Sequence, residues 1–448
     1  MADQLWQKGA PLDAALHAFT VGSDPQTDLA LVPYDLYGTA AHVRMLAHVG
    51  LFDAADAQRV VAALARLLEE WRAGRFTIAP EQEDCHTAIE QALTAALGDA
   101  GKNVHLGRSR NDQVLTALRL YLRDSAFVLA ERTAALAAAL LACAERWPDV
   151  ALPGYTHLRR AMPSSIGLWA GAYAAALAEE LEALQGVLLR LDRCPLGSGA
   201  GFGTPLPLDR AYSAQLLGFS RVQANPLDAA NSRGRDALAL AGWVSGVGNA
   251  LEKLLWDLAL YSTEEFGFIS LPDAFTTGSS IMPQKRNPDV VELARGRCAQ
   301  LRAWRDELER VATALPGSYH RDFQLQKEPL LRSVNGGLEL LDILARLVPG
   351  LVVDPERCAG ACTPEIYATQ EAYRRALSGK LPFREAYAAV GKEVLAGRFT
   401  APVANGEALP RGNSRHIIDE LRAELDELAR QIARQSAAMG TVLDRLLQ

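Results

Sequence analysis

"VLTALRLYLRDSAFVLAERTAALAAALLACAERWP" occupies residues 114–148, and its reading decides the fold class. Leu115, Leu122, Leu129 and Leu136 fall seven apart, with Leu118 and Leu140 in adjoining positions. On a helix this spacing lines one face with an apolar seam sustained over several turns. Trp147 and Pro148 stop it, since proline cannot continue the backbone hydrogen-bond ladder. The Ala-rich stretch 134–144 is bounded by Glu131–Arg132 and Glu145–Arg146, so it is too short to span a bilayer. A long, mostly buried helix is the expectation.

Similar runs follow. Residues 166–193 contain no proline and are rich in Ala and other small residues, which let helices approach closely. Residues 232–266, 288–315 and 324–347 supply three more candidates. Five segments of roughly 24 to 35 residues exceed the ordinary globular helix of about 11–12. Period-2 strand patterns are scarce. A mainly α fold built on a long-helix bundle is expected, one that other subunits can complete. A coiled-coil rod is the alternative, but the seam changes character between segments and loops interrupt it. We divide the chain into a helical domain over 1–104, the central long-helix bundle over 105–352, and a C-terminal helical domain over 353–448.

Composition narrows the function. The chain has 448 residues, 49% of them apolar, and a formal net charge of -7; its mean hydropathy is near zero. No long basic stripe appears, which disfavours nucleic acid and anionic membranes as partners. The N-terminal stretch lacks the basic start and apolar core of a signal peptide, so a cytoplasmic location is expected. Of the six cysteines only Cys358 and Cys362 are close, with no histidine near enough to complete a zinc site. No metal is expected. "GSGAGFG" at 197–203 fails the dinucleotide spacing, because Phe202 stands where the third glycine is needed. "GDAGKN" at 98–103 fails the phosphate-loop pattern.

The polar chemistry lies between the helices. "TTGSSIMPQKRNPDVVELARG", 276–296, reads partly as a helix start, with Asn287 as N-cap and Asp289 and Glu292 complementing the dipole. That leaves Gly278, Ser279, Ser280 and Lys285 unexplained. "HLGRSRNDQV", 105–114, is either an exposed basic loop capping a helix or an anion site. In the second case Arg108 and Arg110 clamp carboxylates and Asn111 adds amide hydrogen bonds. "PGYTHLRRAMP", 153–163, sets His157 in a loop beside Thr156, a setting suited to proton transfer. His86 in "EDCHTAIE" sits near a helix start, where a core or capping role competes with binding. In "SYHRDFQLQKE", 318–328, Gln324 and Lys327 share a helical face just after Tyr319; a solvated helix start is the plain alternative.

Together these loops resemble the argininosuccinate lyases of the fumarase/aspartase superfamily. "GSSIMPQKRNP" resembles that superfamily's signature loop, and "HLGRSRNDQV" is similar to the stretch marking the argininosuccinate branch. "PGYTH", "PLGSGAGFG" and "YHRDFQLQKE" match further segments in the same order, so nearly the whole chain is covered. Two positions depart from the common "THLQRAQP", which here carries Arg159 and Met162. "KRNP" also occurs in the adenylosuccinate branch, which keeps that substrate as an alternative. A non-catalytic, crystallin-like role is a second alternative.

The resemblance implies a three-domain fold, a homotetramer with a 20-helix core, and active sites shared between three subunits. It implies no metal or organic cofactor. The implied reaction is reversible β-elimination of argininosuccinate to arginine and fumarate, as a step of arginine biosynthesis. Ser279 is implied as the base and His157 is the candidate acid, with the reverse assignment left open. Glu292 is similar in place to a glutamate that orients the histidine of another subunit. Lys285 and Asn287 suit the carboxylate on which charge collects, with Arg110, Asn111 and Thr156 adding contacts. Tyr319, Gln324 and Lys327 are implied on the amino-acid or succinyl carboxylates. Ser23 and His86 complete the substrate-binding set, Ser23 lying in "FTVGSD", which loosely resembles a serine-bearing substrate loop.

Overall fold

The computed structural model describes residues 13–401 and 415–448. Residues 1–12, which hold most of the stretch compared above with signal peptides, lie outside them. Twelve helices of eight residues or more organise the described chain. We number them α1 (Ala14–Val21), α2 (Val32–His48), α3 (Ala54–Arg72), α4 (Cys85–Leu97), α5 (Arg110–Arg146), α6 (Ile166–Leu191), α7 (Arg235–Tyr261), α8 (Asp289–Thr313), α9 (Lys327–Leu347), α10 (Ala368–Gly379), α11 (Phe383–Leu395) and α12 (Arg415–Leu446). The strands are short. β1 (Ala151–Thr156) pairs antiparallel with β2 (Arg159–Ser165), and β3 (Ile269–Ser270) with β4 (Val352–Val353).

The five expected helices are α5 to α9. The leucine seam of α5 is buried at Leu115, Leu122, Leu129, Leu136 and Leu140. Each such side chain contributes about 1.5–3 kcal/mol when fully withdrawn from water. By length and composition alone α5 is apolar enough to cross a membrane. Here it is the core helix, packed against α2, α6, α9 and α12. Its polar residues are tied down as well. Arg119 donates to the Arg193 carbonyl at 2.6 Å, to Gln223 Oε1 at 2.7 Å and to Ser232 Oγ at 2.8 Å. It also pairs with Asp236, which binds α5 to the first turn of α7.

The start of α5 is set by Ser109. Its hydroxyl accepts from Asn111 N–H at 3.3 Å, and the Asp112 carboxylate accepts from Ser109 N–H at 3.0 Å, a reciprocal cap. The second oxygen of Asp112 accepts from Gly197 and Gly199 N–H at 3.0 and 2.9 Å. Gly197, Gly199, Gly201 and Gly203 all have φ between 59° and 104°, where a side chain is strained. The glycines of "GSGAGFG" thus form a nest of N–H groups, and the chain's own Asp112 fills it.

Two local expectations are corrected. Asn287 does not cap α8: Pro288 holds that position without a side-chain bond. Asn287 instead bridges Thr277 through backbone bonds and donates its amide to the Gly278 carbonyl at 3.4 Å. The segment 153–163 is no loop but most of the β1–β2 hairpin, whose two-residue tip is His157 and Leu158, at φ 53° and 57°. Such a double left-handed turn matches the twist of a hairpin, although glycine or asparagine is its usual occupant.

Candidate active site

A cleft of about 240 Å³ opens where the starts of α5, α7 and α9 meet the segments around residues 20–24 and 83–84. Its walls include Arg110, Asn111, Tyr319, Gln324 and Lys327. Those residues come from two loops some 200 positions apart, and the fold brings them to one place. Arg321 to Gln326 form a 3₁₀ turn running into α9, so Gln324 and Lys327 eclipse each other and face the same space.

Arg110 and Lys327 are held by acids the motifs did not indicate. Arg110 donates to Asp84 at 3.0 Å and to the Thr87 hydroxyl at 3.0 Å. Lys327 donates to Asp24 at 2.9 Å and Asp28 at 2.6 Å. Gln324 donates its amide to the Thr20 and Val21 carbonyls at 2.8 and 3.1 Å, which closes one wall. Burial pushes the Asp24 carboxyl up to about 6, with the neighbouring Lys327 opposing that rise. Burial works against the Lys327 ammonium, but Asp28 and Asp24 outweigh it and hold it above its ordinary 10.5. For Asp84, burial is outweighed by His86, Arg110 and the bonds from Thr87, leaving its carboxyl below the usual range.

The other nominated residues are not among the residues that line this cleft within one chain. His157 and Thr156 are exposed at the hairpin tip. Ser279 lies half-buried in the 276–288 loop, its hydroxyl accepting from Met282 N–H at 3.2 Å and Ile281 N–H at 3.4 Å. Lys285 is exposed in that loop and Glu292 on the first turns of α8. Ser23 is exposed beside Asp24 and caps a short helical turn without a side-chain bond. His86 is 2% exposed and faces Asp35 at 3.1 Å, away from the cleft lining. Arg108 is also buried, donating to the Thr39 hydroxyl at 2.9 Å, so the anion clamp read from its loop does not include it.

The donor atoms of Asp28, Cys85 and His86 lie within 4.8 Å of one another, a spacing a metal ion accepts. The chemistry of the set argues otherwise. The Lys327 ammonium already occupies Asp28 Oδ1 and the Cys85 N–H donates to its Oδ2, so neither oxygen of that carboxylate is left to the set.

Residues 8–303 match the model of a lyase family. An argininosuccinate lyase from Sorangium cellulosum is 45% identical over 97% of this chain and 100% of its own length. One from Stenotrophomonas maltophilia strain K279a is 40% identical, covering 96% of this chain and 100% of its own. The chain belongs to the argininosuccinate lyase family. Solved structures agree on the fold. An EDDS lyase in complex with formate superposes with a TM-score of 0.81 at 21% identity, over 98% of this chain and 95% of its own. A class II fumarase from Schistosoma mansoni gives 0.70 at 18% identity, over 87% and 94%. Membership of this family favours neither the adenylosuccinate alternative nor the structural one.

Sequence reading missed Asp24, Glu83, Asp84, Arg233 and Arg321, all of which line the cleft. Asp84 carried one signal: it precedes α4 and accepts from Thr87 N–H as its N-cap. Asp24, Glu83 and Arg321 lie inside the stretches "FTVGSD", "EDCHTAIE" and "SYHRDFQLQKE" without standing out there, and Arg233 lies in no quoted stretch; all four gain meaning only from tertiary contact.

Proposed function

We propose that this chain cleaves argininosuccinate reversibly into arginine and fumarate, working as a homotetramer in the cytoplasm without metal or organic cofactor. The observation that carries the reading is the meeting of Arg110, Asn111, Tyr319, Gln324 and Lys327 on one cleft, in a chain 45% identical to an argininosuccinate lyase.

In this reading Ser279 removes a proton from the succinyl carbon next to a carboxylate. Charge collects on that carboxylate, and Lys285, Asn287 and nearby N–H groups stabilise it. The electron pair then forms the carbon–carbon double bond as the C–N bond breaks, and His157 gives a proton to the departing guanidinium nitrogen. Thr156 steadies a carboxylate, and Glu292 orients the histidine of another subunit. Arg110, Asn111, Tyr319, Gln324 and Lys327 hold the remainder of the substrate, with Ser23 at the cleft edge; buried His86 acts indirectly, through its neighbours Asp35 and Asp84.

The separation of His157 and Ser279 from the cleft supports sites assembled from several subunits, each chain lending different parts. Exposed Leu189, Trp256 and Leu293 on α6, α7 and α8 leave apolar surface for such an assembly. We further propose the division 1–104, 105–352 and 353–448 into three domains.

Purified protein given argininosuccinate should release fumarate, followed by its ultraviolet absorbance, and should release none from adenylosuccinate. Turnover of adenylosuccinate alone would keep the elimination and overturn the substrate. Silence with both from folded protein would overturn the enzymatic reading.

A further inference from the structure

Four cations line the cleft, and three of them already face carboxylates. Arg110 meets Asp84, Lys327 meets Asp24 and Asp28, and Arg321 lies 3.9 Å from Glu83. Arg233 differs. Its side chain is buried, the residue being 7% exposed, and its Nε has no hydrogen-bond partner among the described residues. The guanidinium lies over the Tyr319 ring, 4.8 Å from the centroid, and 6.0 Å from that of Phe323. The rings support the cation, and its buried Nε–H is left without an acceptor. Burying such a group without an acceptor is strongly unfavourable unless a ligand supplies one.

The backbone holds Arg233 in that place. Gly234, which follows it, has φ +91°, and a Cβ there would meet Gln326 Nε2 at 2.7 Å and Ala312 Cβ at 2.9 Å. The tight turn therefore requires glycine and sets the arginine against the cleft.

We infer that Arg233 receives the α-carboxylate of the arginine half of the substrate, an inference that rests on the function proposed above. The same cleft carries Asp24, Glu83 and Asp84, which repel a carboxylate and attract an α-ammonium. A buried donor fork beside acids matches a zwitterionic amino-acid head, whose two charges sit on one carbon. It does not match the succinyl half, whose carboxylates the function proposed above gives to Lys285, Asn287 and Thr156. Tyr319 then acts as the platform that fixes the plane of the fork, so that two parallel N–H···O bonds can form.

The test is calorimetric titration of wild-type, Arg233→Gln and Arg233→Lys protein with L-arginine, with agmatine (the same guanidinium without the carboxylate) and with fumarate. Argininosuccinate kinetics and thermal melts run alongside. Wild type should bind arginine about tenfold or more tighter than agmatine, a charged hydrogen bond's share of the affinity. Arg233→Gln should bring the two within about twofold, raise KM by about tenfold or more with a smaller change in kcat, and leave fumarate affinity in place. Arg233→Lys keeps charge but loses the fork, and should fall between them. Arginine affinity unchanged in a folded variant overturns the inference, as does an equal loss for arginine and fumarate. If Arg233→Gln does not fold, Arg233→Lys decides by the same criteria. Failure of wild-type turnover on argininosuccinate would instead strike the proposed function, so the two failures are told apart.

Discussion

At the scale of the residue, Asp24 joins charge to binding. Its carboxyl ionises near 6 in the folded chain rather than at its ordinary 3.8, because burial penalises the charged form. An acid raised in this way favours folding at low pH, and that contribution is lost as pH rises through about 6. Binding runs the other way: the carboxylate that attracts an ammonium is present above about 6 and absent below. We therefore expect KM for argininosuccinate to rise as pH falls from 7 to 5, and Asp24→Asn to flatten that rise. A pH–KM profile of both proteins checks it. Ser279 makes a sharper case. Ser279→Ala should lower kcat by roughly 10²–10⁴-fold or more while leaving the assembly intact on size-exclusion chromatography. Near-normal turnover would show that another group takes the proton.

At the scale of the element, Asp112 shapes both the start of α5 and the glycine-rich loop, through three backbone N–H groups. Asp112→Ala leaves those donors buried and unpaired, at about 1–3 kcal/mol for each that finds no water. A drop in the urea midpoint of that order is expected. Burial also lifts this carboxyl to about 6 from 3.8, partly offset by bonds from Gly199, Ser109 and Gly197. The folded chain therefore binds the extra proton between those values, and the stabilising part is lost as pH rises through about 6. The stability gap between wild type and Asp112→Ala should be wider at pH 5 than at pH 7; an equal gap would mean the carboxyl titrates alike in both states.

Elements also show what the sequence made legible. The bundle helices could be read because each repeats an apolar seam over many turns, and proline or glycine-rich loops mark their limits. The β1–β2 hairpin could not. Pro153 and Pro163 lie opposite each other in it, Arg159 and Arg160 interrupt any alternation, and its tip carries histidine and leucine where turn chemistry expects glycine. Asn287 misled for a related reason. An Asn-Pro before a helix is a good cap locally, but pairing with Thr277 drew the asparagine into the loop.

At the scale of the molecule, motifs identified the residues on loops and not the charges that answer them. Tyr319, Gln324 and Lys327 stand in one conspicuous stretch, whereas Asp24 and Asp28 lie some 300 positions away and become partners only on folding. The same scale governs catalysis. If each site draws His157 and Ser279 from different chains, mixing His157→Ala with Ser279→Ala protein under exchange conditions should restore part of the wild-type rate, since some hybrid sites carry both intact groups. Verified hybrids without recovery would count against sites shared in this way.

The distance that keeps Ser279 and His157 from the cleft of their own chain bears on how the rate responds to dilution. The cleft, its ion pairs and the hydrophobic core belong to a single folded chain, but the proton-transfer groups would reach it only by encounter. Specific activity should then fall on dilution below the assembly's dissociation range while the helical circular dichroism persists. Reconcentration should restore it with kinetics above first order. Folding and catalysis would have separate concentration dependences, and a sparse population of these chains would be fully folded yet chemically idle.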